Sequence, residues 1–318
     1  MLLGIGRRLA SALVTLFGVS VLIFVILRLL PGNALTASLG VNTGLLTRAQ
    51  VQALDAFYGI GRPPLTQFAD WLGSTLTGNL GVSLAARLPV SSLIGNALPV
   101  TLELAVAALL LGLLIGVGLG VAGALRPHRL VDDIGEGVAI FGLGVPSFVI
   151  GTGLVTFLAS TFSYFPSSEG FAGLFSDPWL NLQQISFPAL TLSFGIGAAI
   201  MRTTRASVLE ITSQNFVRTA RGKGLSPRMV TWRHLVLNAL VPIVTMSGIQ
   251  LGYLLGGTVI IEQIFVLPGL GRLLVLSINN RDFPVVQSLT LLFAASFVIV
   301  NMLVDVLYTV IDPRTRTR

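Results

Sequence analysis

Few residues in this 318-residue chain have the type and spacing to do chemistry. The pair Gly222-Lys223 is the nearest approach to a phosphate cradle. A G-x-x-x-x-G-K-[ST] loop, however, needs a leading glycine where Val217 stands and a hydroxyl where Gly224 stands. Gly81-Val82-Ser83-Leu84-Ala85 approaches the G-x-S-x-G nucleophile elbow but lacks its last glycine and a histidine nearby in sequence. The histidines, His128 and His234, fall in basic segments outside any H-E-x-x-H pattern, and His234 reads as a loop histidine bonded to backbone. With no cysteine there is no disulfide framework, thiolate metal site or cysteine nucleophile. The chain is therefore expected to have no catalytic residues, no metal and no cofactor of its own.

Four charged residues sit in or near long apolar runs: Arg28, Glu103, Glu262 and Asp305. A charge inside a membrane by default suggests a proton relay or ion site. Each of these lies within a turn or two of the end of its run, so snorkelling to the interface is the expected behaviour.

The elements that carry these residues follow from composition. Hydrophobic residues make up 53% of the chain and charged residues 10%, against roughly a quarter charged in soluble domains. Uncharged or nearly uncharged stretches run over 9–30, 104–125, 138–162, 185–201, 235–261 and 283–304. Each is about the 17 to 25 residues that cross a ~30 Å hydrocarbon layer as a helix, in which every backbone group is paired. The expected fold class is an all-α membrane protein with six transmembrane helices. An N-in, C-in orientation puts Arg7, Arg8, Arg126, Arg129, the basic residues of 202–235, Arg314, Arg316 and Arg318 on the cytoplasmic side, as the positive-inside rule requires. The first span is too long for a signal-peptide core and no A-x-A site follows it, so it reads as a retained helix. The net charge of +7 is explained by this topology, and no nucleic-acid partner is expected.

Gly112, Gly116 and Gly120 in the second span, and Gly248, Gly252 and Gly256 in the fifth, repeat every fourth residue and form small-residue stripes for close helix packing. Pro146, Pro188 and Pro242 lie inside the third, fourth and fifth spans, where each is expected to kink the helix. The chain divides into 1–30 (tail and first span), an extracytoplasmic helical segment 31–98 and a five-helix core 99–318. Two amphipathic helices are expected in 31–98. One follows a capping box at Thr47 and Gln50 and carries Val51, Leu54 and Tyr58; the other carries Leu65, Phe68, Ala69 and Leu72 after Pro63-Pro64. They suit either a lid over the bundle or a docking surface for an extracytoplasmic partner.

The cytoplasmic loop 202–235 reads as a helix, turn, helix hairpin. A helix from Asn215 ends at glycine, and a second starts after Ser226 with Pro227 at its first position. Phe216 and Ala220, four apart, share one side, with Arg218 and Arg221 presented elsewhere. Such a hairpin suits an apolar knob entering a groove on a soluble partner, or a basic loop resting on anionic lipid.

Phe216 to Gly224, continuing through Trp232-Arg233-His234 to Asn238-Ala239-Leu240-Val241-Pro242, resembles the EAA loop of ABC importer permeases, in the variant of the dipeptide and oligopeptide importers. The E-A-A-x-x-x-G pattern falls on Arg218, Thr219, Ala220 and Gly224. Leu29-Leu30-Pro31-Gly32, Gly78-Asn79-Leu80-Gly81-Val82-Ser83, Leu98-Pro99-Val100-Thr101-Leu102-Glu103-Leu104, Val145-Pro146-Ser147-Phe148, Glu262-Gln263-Ile264-Phe265 with Pro268-Gly269-Leu270-Gly271-Arg272, and Asp305-Val306-Leu307-Tyr308 with Asp312-Pro313-Arg314 resemble the same subfamily. Asn79, Phe216 and Gly222 depart from its usual acidic residue, Tyr and Ala.

The resemblance implies a type I ABC importer permease fold in a bacterial or archaeal cell membrane. It also implies a second homologous permease, two cytosolic ATPases that bind ATP and Mg, and an extracytoplasmic solute-binding protein as partners, in a bed of membrane lipid. Phe216, Arg218, Thr219, Ala220, Arg221 and Gly224 would couple to an ATPase, with Gly224 making the turn. Peptides are the implied cargo, with nickel complexes, glutathione or another small solute as alternatives on the same machinery. A stand-alone secondary carrier or channel would need an intramembrane ion site and an inverted repeat, and the sequence shows neither.

Overall fold

A computed structural model describes residues 2–29, 62–166 and 170–311. Thr47, Gln50 and the first expected amphipathic helix lie outside them. The described residues form helices α1 (Leu2–Leu29), α2 (Pro64–Leu76), α3 (Val90–Leu125), α4 (Leu130–Gly144), α5 (Ser147–Phe162), α6 (Pro178–Thr212), α7 (Asn215–Gly222), α8 (Pro227–Met229), a π-helical segment (Val230–Val236), α9 (Leu237–Ile264), α10 (Leu270–Asn279) and α11 (Phe283–Ile311). Their only β pairing is an isolated antiparallel bridge, Val82 to Pro89.

Five helical stretches, within α1, α3, α6, the run Pro227–Leu254 and α11, are long and apolar enough to cross a membrane. The third expected span is broken: α4 and α5 meet at a bend of 100°. Pro146 is the cause. It holds Val145 extended (φ −99°, ψ 120°) and starts α5 afresh, because the proline ring disfavours the helical conformation in the residue before it. Pro188 and Pro242, in contrast, lie inside continuous helices. The fourth span also outruns its apolar core. Asp177 caps α6 by accepting from the Leu180 N–H at 3.1 Å, with Pro178 at the first helical position. At the far end Thr204, Val208 and Ile211 keep one face buried down to Thr212.

The chain forms two compact units, residues 1–100 with 268–298 and residues 101–267 with 299–318. In the first, α1 and α2 meet through aromatic rings. Phe68, expected on the apolar face of its helix, lies edge-on to Phe24 at 5.1 Å, and Trp71 stacks on Phe24 at 6.1 Å. Val90, Ala97, Leu270, Val285 and Leu289 form a separate core. The loop before α3 is tied to Asp282, which accepts from the Ser83 hydroxyl, from Leu84 N–H at 3.2 Å and from Ala85 N–H at 3.3 Å. Ser83, the residue in the elbow-like sequence, is thus a structural anchor.

In the second unit α6 is the central helix. Gly112, Gly116 and Gly120 of α3 face Ile196, Gly197, Ile200, Met201 and Thr204 of α6. A Cβ on Gly116 would lie 2.7 Å from the Gly197 carbonyl and 2.8 Å from Ile200. The expected stripe is therefore a contact surface. Gly116→Ala is expected to destabilise the protein by about 1–3 kcal/mol through overpacking against backbone that cannot retreat, seen as a lowered melting temperature in detergent, whereas Gly118→Ala, with open space around it, should be neutral. The fifth-span stripe is only partly used this way: Gly248 abuts Val304 of α11, but Gly256 faces open space within the chain.

Among the described residues four helices end in the same hydrogen-bonded turn, with the residue after the cap left-handed and its N–H and that of the next residue reaching back to orphan carbonyls. Gly78 (φ +86°) and Gly224 (φ +76°) fill the left-handed position after α2 and α7, as expected for glycine. Val266 (φ 55°) and Arg281 (φ 51°) fill it after α9 and α10, at about 1–2 kcal/mol of strain each. Leu267 N–H to Glu262 O at 2.9 Å and Asp282 N–H to Ser277 O at 2.8 Å close those turns.

Candidate functional site

The hairpin that follows α6 is built from local signals. Gln214 is extended (φ −76°, ψ 150°) and separates α6 from α7. Within α7, Val217 and Ala220 are buried, at 0% and 5% exposure, and Phe216 is 40% exposed. Arg218, Thr219 and Arg221 are exposed. Phe216 and Ala220 thus do not present a common outward knob. Ala220 pairs with Val217, three residues away, to seat the helix, while Phe216 remains outward with its ring centroid 6.5 Å from His234.

The turn uses Gly224: its N–H donates to Arg221 O at 3.0 Å, and Leu225 N–H donates to Ala220 O at 3.4 Å. Nothing lies within 4 Å of where a Gly224 Cβ would sit, so the glycine is needed for backbone conformation and not for space. Ser226 then caps the next helix by accepting from Met229 N–H at 3.4 Å, with Pro227 at the first position. After one α turn the helix widens into the π segment Val230–Val236 before α9. His234 belongs to this segment and not to a loop, and its carbonyl accepts from Asn238 Nδ2 at 2.6 Å.

Above this hairpin α6 is clamped to α4. Asp132, 2% exposed, receives Arg205 through both oxygens, Nε at 2.6 Å and Nη2 at 2.8 Å. His128, left-handed at φ 59°, aims its N–H at the same carboxylate at 3.0 Å. Glu136 lies 3.3 Å from Arg205, and Gly123 leaves room for the carboxylate, since a Cβ there would be 2.7 Å from Asp132 Oδ1. A fork-to-fork pair of this kind fixes orientation as well as charge. Nothing in the local sequence marks it: the partners are 73 residues apart, and Asp132-Asp133 reads as ordinary acidic first-turn residues complementing a helix dipole.

Glu262 does not snorkel. It is 0% exposed and accepts from Thr101 Oγ1 at 2.8 Å, because the helix end that carries it is packed inside the second unit and not open to the interface. Glu103 is half-buried. Arg28 lies over the Phe24 ring at 3.4 Å and reaches Gln67 Oε1 of α2. The Asp305 side chain lies outside those described.

A helical core of long apolar helices with one broken span, close glycine packing and a basic hairpin projecting between two of them defines a membrane permease domain. The chain belongs to the family described as "Binding-protein-dependent transport system inner membrane component", which matches residues 108–317. It is an ABC importer permease and an inner-membrane component. It is 36% identical over 311 residues to the glutathione transport system permease protein GsiC of Salmonella choleraesuis (strain SC-B67), covering 98% of this chain and 97% of that one. It is 37% identical over 312 residues to the probable peptide ABC transporter permease protein y4tP of Sinorhizobium fredii (strain NBRC 101917 / NGR234), covering 98% of each. Two solved structures share the fold. An inward-facing MetNI methionine ABC transporter matches at TM-score 0.55 and 17% identity, over 70% of this chain and 97% of that one. An amino acid ABC transporter crystallised with histidines matches at TM-score 0.53 and 15% identity, over 69% and 94%. These place the chain in the type I importer permease fold.

Proposed function

We propose that this chain forms half of the translocation path of an ATP-driven importer of short peptides. Its partners are a second homologous permease, two cytosolic ATPases that bind ATP and Mg, and an extracytoplasmic solute-binding protein. The observation that carries the reading is the hairpin: a short helix with Val217 and Ala220 seated inward and Phe216, Arg218, Thr219 and Arg221 outward, two residues from the end of α6. A soluble ATPase offering an apolar pocket with acidic flanks would take Phe216 as the knob. Gly224 sets the return of the chain into α9, so displacement of the hairpin is passed to both long helices, as rigid-body switching between inward-open and outward-open states requires. Relatives named for glutathione and for peptides support a peptide-like cargo, glutathione itself being a tripeptide.

Purification of the tagged chain from native membranes in mild detergent is expected to bring down a second permease and ATPases carrying phosphate-binding loops. Uptake of a labelled tripeptide by the reconstituted assembly should stop on ATP depletion and survive an uncoupler. Uptake that collapses with the ion gradient, by the chain alone, would mean a stand-alone secondary carrier.

A further inference from the structure

The first unit contains a cavity of about 400 Å³ whose walls include Arg28, Arg62, Asp70, Trp71, Gln67 and Gln287. Its size is within the roughly 300–1,000 Å³ of small-molecule sites. By the N-in orientation it lies toward the extracytoplasmic side, at the outer end of α1.

Among its polar groups, Arg28, Gln287 and Asp70 keep bonding capacity for a ligand. Arg28 donates to Phe24 O at 3.3 Å and to Gln67 Oε1; a guanidinium carries five N–H donors, and none of the ion pairs among the described residues includes Arg28. Gln287 is only 9% exposed, yet its side-chain amide bonds to no described residue. A buried amide normally has a partner, and this one faces the cavity. Asp70 pairs with Arg62 at 3.1 Å, but both side chains are more than 60% exposed (62% and 64%), so that pair is readily exchanged for a ligand. Trp71, stacked on Phe24, supplies a fixed flat wall.

Cationic and amide donors at one place, a carboxylate beside them and an aromatic wall match a zwitterion with an apolar body. We propose that this cavity binds short peptides by their free terminal carboxylate, held by the Arg28 guanidinium and the Gln287 amide, with Asp70 available to the ammonium end. An inorganic anion would satisfy Arg28 but make no use of Asp70 or Trp71. The proposal rests on the peptide reading of the importer.

The test uses the complete permease–ATPase assembly in lipid nanodiscs, without binding protein, and measures equilibrium binding of labelled trialanine and of trialanine amide. The free acid is expected to bind roughly tenfold more tightly than the amide, as for loss of one charge-assisted hydrogen-bonded contact. Arg28→Gln should erase that preference, Arg28→Lys should keep part of it, and Gln287→Leu should weaken the acid alone. Recovery of intact assembly for each variant separates misfolding from lost recognition, and Gln287→Leu suffices if Arg28→Gln does not assemble. Equal binding of acid and amide by the wild type, no binding at all, or an unchanged preference in Arg28→Gln overturns the proposal. So does loss of binding-protein-stimulated ATP hydrolysis in Arg28→Gln with peptide preference intact, which assigns the cavity to the binding protein. ATP-driven uptake of trialanine by the wild-type system with its binding protein tests the importer reading separately: uptake without acid preference removes only the cavity proposal, and no uptake of any peptide removes both.

Discussion

Phe216→Asp is expected to leave the chain in the membrane in normal amount and to lower ATP-driven uptake by at least about thirtyfold. The side chain is exposed at the free edge of α7, so folding loses little. A central apolar anchor removed from an interface costs about 2 kcal/mol or more, and a carboxylate entering the proposed acid-flanked pocket would add repulsion. Gly224→Pro should have the same functional effect by another route. Proline fixes φ near −65°, whereas this residue sits at +76°, and proline also lacks the N–H that donates to Arg221 O. Gly224→Ala is the control, costing about 1–2 kcal/mol of left-handed strain with no steric clash, and should only reduce coupling. Uptake by proteoliposomes, measured beside ATP hydrolysis and membrane content, reads all three. Wild-type uptake in both Phe216→Asp and Gly224→Pro would remove the hairpin from the coupling path.

The features legible in the sequence are those whose signal is local. Five of the six apolar runs, Pro146 as a breaker, the Asn215–Gly222 helix, Gly224 as the turn and Ser226-Pro227 as the restart each depend on residues within a few positions of one another, and each has its expected place in the structure, while the run 138–162 is split between α4 and α5. The Gly112, Gly116 and Gly120 stripe was readable as a packing face, but not that α6 is its partner, because periodicity names a face and not what covers it. Helix ends were less legible. Arg202, Thr203 and Arg205 close the apolar run at Met201, yet α6 continues to Thr212 because Val208 and Ile211 hold the same buried face. Glu262 misled for the opposite reason: nearness to the end of an apolar run implies access to water only if that helix end is exposed, and here Thr101 covers it. Val266 and Arg281 carry no turn signal at all, since neither residue type favours a left-handed backbone; their conformation is imposed by the turns they close. The Asp132–Arg205 pair is non-local and was invisible.

That pair is where a single substitution should cost most stability. Asp132→Ala leaves the Arg205 guanidinium, 22% exposed, without its bidentate partner. Breaking a buried pair from one side costs about 3–5 kcal/mol. Glu136, 3.3 Å from Arg205 but itself more than half exposed, offsets part of this, so the lower end of that range is expected as a drop in the melting temperature of the purified protein. Arg205→Met should cost comparably, because Asp132 is nearly sealed from solvent and would keep only the His128 N–H. The double variant Asp132→Ala/Arg205→Met should lose far less stability than the sum of the two single losses, since no uncompensated charge remains. Exchanging the residues should fail. An arginine at 132 would meet Gly123 where only a carboxylate oxygen fits, would sit in the first turn of α4 where the helix dipole disfavours a cation, and would face the His128 N–H instead of accepting from it. A charge pair tolerant of reversal would behave as simple Coulomb attraction; one that survives in a single polarity is a fitted cradle. Additive single losses, or full recovery on exchange, would show that the clamp is not built as its geometry indicates. Because α6 runs from this clamp directly to the hairpin, the double variant also separates two contributions: restored melting temperature with uptake still impaired would assign the pair to the transmission of hairpin motion and not to folding alone.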